Sequence, residues 1–482
     1  MDIEKIKREW YCRIVGVISG LLLAIPNIYS PLAPLQFLAL LTILYLGIKR
    51  ENKFSDIFTA GIYMGLFYTL PQMIFLRLSI PITIILLLYL VAIMTGLAIG
   101  SAWLIRRESF WGAFAVGAFL VVLDWVNFTI VPIWGTAQSI ARPWSKYPEL
   151  IEFSSLTGIT GIVFVLGLSQ ALIVSAIVNP KIRRKLVGTF ALVILIITAI
   201  NLIIIYQKPV GKIKVAAIGW STKGFKDVEY AQTSEGFEEL YAKPAAKAAE
   251  QGARLIVSPE MGFYIDKYSR DEWFEKFGAI AKKYNVFLAI GYFNTSENQN
   301  RLVYITPDGN ALPEYSKTYL IPYEEKYIKG NGRLVITDIN GISAGGMICH
   351  DDNFTKFSRE YGRKKVSIVA VPTLDWSTVK NTHLQNSTHR AIESRYAIVR
   401  ATMNGISAII APGGKILASC DHFKTSPAVI TAEVPVYSST TLFSAIGHWP
   451  VGVCGLLLII YVSRNFINIK KQRTENEYTR KN

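Results

Sequence analysis

Eight apolar runs, each about as long as a lipid bilayer is thick, constrain this chain more than any other feature. A helix needs roughly 20 mostly apolar residues to cross the hydrocarbon core. Seven such runs precede residue 207, near 12–29, 31–49, 56–76, 80–105, 110–131, 158–179 and 186–206, and an eighth lies near 446–463. Only the Pro26–Pro34 turn region separates the first two, which read as a helical hairpin. With 51% of its 482 residues hydrophobic and 18% charged, the chain departs from ordinary soluble proteins. The first run is not read as a cleaved leader, because further spans follow at once and no small-residue cleavage site ends it.

Between the seventh and eighth runs the character changes. Apolar stretches shorten to strand length: Ile213–Ile218, Leu255–Val257, Val286–Ile290, Leu302–Ile305, Ile342–Ile348 and Val366–Val371. Helical patterns such as Ser234–Gln251 and Asp271–Lys283 alternate with them. Short apolar strands separated by helices predict an α/β domain with a buried sheet. The expected division is a seven-helix membrane domain over 1–207, an α/β domain over 208–440, and a last span with a basic tail over 441–482.

The net charge of +16 does not describe a nucleic-acid-binding face. The basic residues lie in short clusters between the apolar runs: Lys5, Lys7, Arg8 and Arg13; Lys49, Arg50 and Lys53; Arg106 and Arg107; Lys181, Arg183, Arg184 and Lys185; and a tail from Arg464 to Lys481. All fall on one side if every run spans. The opposite loops hold little beyond Arg77, Arg142 and Lys146. The positive-inside rule then puts both termini in the cytoplasm and the α/β domain outside it. Among four cysteines, Cys12 and Cys454 fall in or beside apolar runs, while Cys349 and Cys420 remain open to pairing. No metal-ligand or phosphate-loop spacing is present.

Three segments of the α/β region carry reactive groups. Leu255-Ile-Val-Ser-Pro-Glu260 delivers a carboxylate at the end of an apolar strand, where α/β sites form. Tyr315-Ser-Lys317 brings an ammonium, and Gly345-Gly-Met-Ile-Cys349-His350-Asp351 ends another strand in a thiol. Taken singly, each has an ordinary reading: a turn carboxylate, a surface lysine, a small core cysteine. Taken together they make a reactive set. A thiol needs a base to become a nucleophile, a carboxylate can be that base, and an ammonium can stabilise the resulting oxyanion. A protease-like Cys349–His350 pair is disfavoured, since neighbours on a strand point to opposite faces.

Glu, Lys and Cys in this order resemble the nitrilase (carbon–nitrogen hydrolase) superfamily. The span layout makes the resemblance more specific: the whole chain is similar to the apolipoprotein N-acyltransferase family. Asp124-Trp125, Ser154–Gly161, Thr382-His383-Leu-Gln, Arg390–Arg395, Arg400–Gly405 and His448-Trp449-Pro450 also resemble that family. The resemblance implies a multi-span α-helical membrane domain joined to an α/β nitrilase-like domain, an α-β-β-α sandwich. It implies Cys349 as nucleophile, Glu260 as base and Lys317 as oxyanion stabiliser. Glu325 matches a further functional carboxylate, and the backbone N–H of His350 is a candidate second oxyanion donor. The implied reaction moves an acyl chain from a phospholipid donor, through a thioester, to the amine of a lipoprotein acceptor, without metal or organic cofactor. Membrane-tethered amidase chemistry is the alternative. The chain departs from the family pattern at Ser258, where Trp is usual, at His350-Asp351, where Tyr-Glu is usual, and at Leu374-Asp375-Trp376, where Asn-x-Trp-Phe-Gly is usual.

Overall fold

A computed structural model describes residues 3–481 apart from 50, 78, 108, 131–133, 223–228 and 323. Arg50 lies outside the described residues, as do the side chains of the basic tail from 469 onward.

Eight helices among the described residues are long and apolar enough to cross a membrane. They are built from α1 (Ile3–Ile28), α2 (Leu41–Ile48), α3 (Phe54–Leu76), α4 (Ile80–Arg107), α5 (Ser109–Ile130), α6 (Ile159–Val178), α7 (Arg183–Ile205) and the last helix, Trp449–Lys481. The second span differs from the plain helix expected: Ser30–Leu38 is a 3-10 helix that leads into α2. Pro31 and Pro34 have no N–H to donate, which weakens an α-helical ladder there, and the chain takes the tighter coil. Helix α1 meets α3 through small residues. A Cβ on Gly16 would lie 2.2 Å from the carbonyl oxygen of Ala60, and one on Gly20 would lie 2.5 Å from that of Met64. This Gly-x-x-x-Gly stripe lets the two backbones touch, which is how helices associate where lipid removes the hydrophobic driving force.

The α/β region forms two stacked sheets. The first contains β1 (Gly211–Gly219), β2 (Leu255–Val257), β3 (Tyr264–Ile265), β4 (Phe287–Asn294), β5 (Gln299–Ile305) and β6 (Tyr315–Ser316). The second contains β7 (Ile336–Ile339), β8 (Ile342–Gly346), β9 (Ile368–Leu374), β10 (Ala397–Met403), β11 (Ile406–Ile410) and β12 (Ile416–Asp421); β13 (Ala428–Val436) returns to the first sheet beside β1. The orders are β13-β1-β2-β4-β5-β6, with β3 on β4, and β12-β11-β10-β9-β8-β7. Strands β1, β2 and β4 are parallel, as are β8, β9 and β10.

Alternation along β1 shows how the layers form. Ile213, Val215 and Ala217 face a core shared with Ala370 and Val399 of the other sheet. Ala216 and Ile218 face outward, against Phe274 and Phe277 of α8 (Arg270–Tyr284). On the far side, α9 (Thr355–Arg363) and α10 (Lys380–Ser394) cover Val369 and Ile398. The result is the α-β-β-α sandwich.

The two parts share buried polar contacts. Arg395 donates to Glu152 at 2.8 Å and to the carbonyl of Ile204 at 2.7 Å. Glu393 accepts from the N–H of Ile159 at the start of α6, at 2.8 Å, and pairs with Arg390 at 2.8 Å. Arg390, Glu393 and Arg395 therefore form a buried seam, with Arg390 and Glu393 paired one helical turn apart. All four cysteines are unpaired.

Candidate functional site

The site forms where parallel strands end. After β2, Ser258 and Pro259 carry the chain to Glu260, and Met261 turns it at φ +51°. Gly291 makes room, since a Cβ there would lie 2.3 Å from the Pro259 oxygen. Ser258 occupies its position as a small acceptor, its Oγ taking the Gly291 N–H at 3.2 Å. After β8, Cys349 opens the 3-10 turn Cys349–Asn353 at φ +48°. A cysteine in the left-handed region is strained, and such strain collects at functional sites.

Glu260, Lys317 and Cys349 converge, each at most 4% exposed. Lys317 Nζ donates to Glu260 Oε1 and to Glu324 Oε1, both at 2.8 Å. Glu260 Oε1 also accepts from Asn300 Nδ2 at 2.7 Å, and its Oε2 accepts the N–H of Leu374 at 2.6 Å. The thiol of Cys349 lies 3.7 Å from the Leu374 carbonyl oxygen.

The electrostatics follow from burial and charge. Burial pushes the Cys349 thiol well above its ordinary value, and the Glu260 carboxylate adds to this, against the pull of Lys317. Burial alone would lower Lys317. Glu260, Cys349 and Glu324 outweigh it and hold the ammonium well above its ordinary value. Glu324 is itself raised by burial, against the pull of Lys317.

The carboxylate beside Lys317 is Glu324. Glu325 is turned to solvent, which corrects the expectation placed on it. Ile321 donates its N–H to Glu324 Oε2 at 3.1 Å, so the backbone of the turn points this residue inward. Tyr323 lies outside the described residues. The His350 ring Nδ1 meets Asn353 Nδ2 at 2.8 Å, and the ring packs edge-on against Trp134. His350 follows Cys349 in a turn rather than along a strand.

Asp351 holds the lysine segment to the cysteine turn. It accepts from Tyr315 Oη at 2.8 Å and from the N–H groups of Tyr319 at 2.8 Å, Thr318 at 3.2 Å and Ile348 at 3.2 Å. Despite these donors, burial raises it to about 7.

A second network escaped the sequence reading as a unit. Asp375, at the end of β9, takes His383 Nδ1 at 2.6 Å and Arg400 Nη2 at 2.8 Å. Asn353 Nδ2 meets His383 Nε2 at 3.1 Å. Asp375 sits at a strand end, a visible signal, but its partners are distant in sequence. Cys349, Asp375 and His383 present donor atoms within 4.8 Å of one another, close enough to bridge a metal ion. Both Asp375 oxygens, however, already serve Arg400 and His383, and no metal is assigned.

A cavity of about 210 Å³ joins this wall to the helical part. Opposite Cys349 lie Ile28 of α1, Met73 and Leu76 of α3, and Leu86 and Leu90 of α4. Thr378 Oγ1 donates to the Leu76 carbonyl at 3.3 Å, closing the seam between the two walls.

Residues 214–441 match the carbon-nitrogen hydrolase family, and residues 19–172 match the apolipoprotein N-acyltransferase N-terminal domain. Apolipoprotein N-acyltransferase from Geobacter metallireducens is 25% identical over 92% of this chain and 93% of its own. Apolipoprotein N-acyltransferase 2 from Treponema denticola is 23% identical over 71% of this chain and 76% of its own. A solved structure of a mutant Nesterenkonia AN1 amidase from the nitrilase superfamily is 20% identical, covers 46% of this chain and 90% of that one, and has a TM-score of 0.38.

Proposed function

This chain belongs to the apolipoprotein N-acyltransferase family, and from that premise we propose that it moves a phospholipid acyl chain through a Cys349 thioester to the α-amine of a lipoprotein's diacylglyceryl-cysteine. The observation that carries the reading is the cavity, which joins the Glu260–Lys317–Cys349 wall to apolar side chains of three spans. A water-soluble amide has no need of such a wall; a lipid ester does.

The thiol is held well above its ordinary value by burial, so a thiolate does not wait in the resting site. Glu260 takes the thiol proton as sulfur attacks the ester carbonyl. The tetrahedral oxyanion is met by the Lys317 ammonium and by the His350 backbone N–H at the start of its turn. Collapse breaks the carbon–oxygen bond, Glu260 returns the proton to the lysolipid oxygen, and the thioester remains. The acceptor amine then attacks the thioester and gives a proton to Glu260, which passes it to the departing thiolate. Glu324 keeps Lys317 in place and in its charged form. The scheme calls on no metal or organic cofactor.

The proposed setting is the cytoplasmic membrane, with the sandwich on its outer side. What supports this orientation is that the basic ends gather at one pole of the bundle: Arg8 donates to Glu51 and Asp56, and Arg106 to the Asn52 carbonyl.

Intact-mass measurement of detergent-purified protein after incubation with a phospholipid of defined chains tests the chemistry. The expected result is one added acyl mass that hydroxylamine removes and that Cys349→Ala abolishes. Folded protein without an adduct, and without released fatty acid, would overturn the donor assignment.

A further inference from the structure

Arg142 is a buried cation with no acidic partner among the described residues. It lies in the segment between α5 and α6, where sequence analysis places it in a solvent-side loop, yet it is only 7% exposed. Its Nη1 donates to the Ala137 carbonyl at 2.7 Å, and its Nη2 donates to the Asn27 carbonyl at 2.9 Å and to Asn27 Oδ1 at 3.2 Å. These bonds seat the guanidinium at the carboxyl end of α1, where a helix favours positive charge. They leave Nε without a partner among the described residues, and no carboxylate pairs with Arg142 among them. The other charged groups named on the cavity wall each have a partner of opposite sign: Glu260 and Glu324 share Lys317, and Asp375 is paired with Arg400.

A buried charge left without a counter-ion is costly unless something supplies one. Arg142 lines the same cavity as Cys349, alongside Asn27 and near the apolar side chains of α1, α3 and α4. An anion carried on acyl chains fits both features at once. The acceptor's reacting end is an amine, which a guanidinium would repel. The donor's headgroup carries a phosphodiester, whose oxygens suit a planar N–H fork.

We infer that Arg142 binds the phosphodiester of the donor lipid and so places its ester carbonyl at Cys349. The inference rests on the proposed use of a phospholipid donor and adds to it a residue that separates donor from acceptor in a cavity both must enter. It also predicts that a neutral diacylglycerol with identical chains is a poorer acyl source than the phospholipid.

The test compares acylation of Cys349 by phosphatidylglycerol and by matched diacylglycerol, read by intact mass, in wild type, Arg142→Gln and Arg142→Lys. The quantity read is the ratio of the two rates. In Arg142→Gln this ratio should fall by roughly 30-fold, the lower end of the loss when one member of a buried charge pair is truncated. Arg142→Lys keeps the charge without the fork and should fall between the two. An unchanged ratio would refute the assignment even if both rates dropped, because a residue that only braces α1 slows both donors alike. If Arg142→Gln does not accumulate, wild type still decides: equal rates from the two donors would refute it. Competition by inorganic phosphate against phosphatidylglycerol, with no chain-length dependence, would instead identify a simple anion site. Wild type that takes acyl groups from neither lipid fails the functional reading, a result distinct from failure of this inference.

Discussion

The residues proposed to react are held in a state that looks unreactive. The Cys349 thiol is buried and kept protonated, and Lys317 is locked between two carboxylates. In the proposed mechanism reactivity depends on where Lys317 sits, and Glu324 holds it together with Glu260. Glu324→Gln should lower the rate of thioester formation on the order of 100-fold, the cost of a misplaced oxyanion donor. Glu325→Gln should stay within about twofold of wild type, the scale of a surface substitution. Single-turnover mass measurements on both variants check this, and equal effects would return Glu325 to the site. The pair also marks the limit of sequence at this scale. Glu260 and Cys349 stand out in the sequence because each follows an apolar strand, and Lys317 because it falls between them in the Glu-Lys-Cys order. Two adjacent glutamates in a turn carry no periodicity, and the Ile321 N–H that selects Glu324 is invisible without coordinates.

Elements are joined here by single buried carboxylates. Asp351 ties the strand end that carries Lys317 to the turn that carries Cys349, with four donors on its two oxygens. Its value rises from 3.8 in a free chain to about 7, because burial disfavours the ion. The folded state thus holds the proton more tightly than the unfolded one. The stability this contributes is complete below pH 3.8 and is lost as pH climbs toward about 7. Asp351→Asn cannot titrate and should be destabilised, because its amide cannot accept from the Ile348 N–H. Its deficit against wild type should shrink across that same interval, measured by thermal unfolding in detergent at a series of pH values. A deficit that grows with pH would contradict the burial argument. Strands and helices were largely readable from alternation and helical periodicity, β1 being the clearest case. The second span was readable in its extent but not in the 3-10 coil of its first half, because counting apolar residues ignores what Pro31 and Pro34 do to the backbone ladder.

At the scale of the whole molecule, the proposed substrate space belongs to neither part alone. The sandwich supplies the reactive wall and the spans supply the apolar one, with Arg142 between them. Sequence located both parts but not this cavity, because Ile28, Leu76, Leu86 and Cys349 come together only through long-range packing. Orientation can be checked directly. Tyr268, on the sandwich, is 84% exposed. A cysteine introduced there by Tyr268→Cys should react with a membrane-impermeant maleimide on intact cells stripped of any outer barrier, in a background lacking the native cysteines. Labelling only after lysis would invert the proposed topology. The last helix adds a matter of timing. It begins where the Trp449 indole donates to the Leu156 carbonyl at 2.8 Å, and further along Tyr461 Oη donates to the Leu104 carbonyl at 2.8 Å. A ribosome makes every residue of the reactive wall before it makes either of these anchors. The newborn chain therefore passes through an interval in which Glu260, Lys317 and Cys349 are all made and the two parts can already meet through Arg395 and Glu393, while the last span has yet to take its place against the bundle.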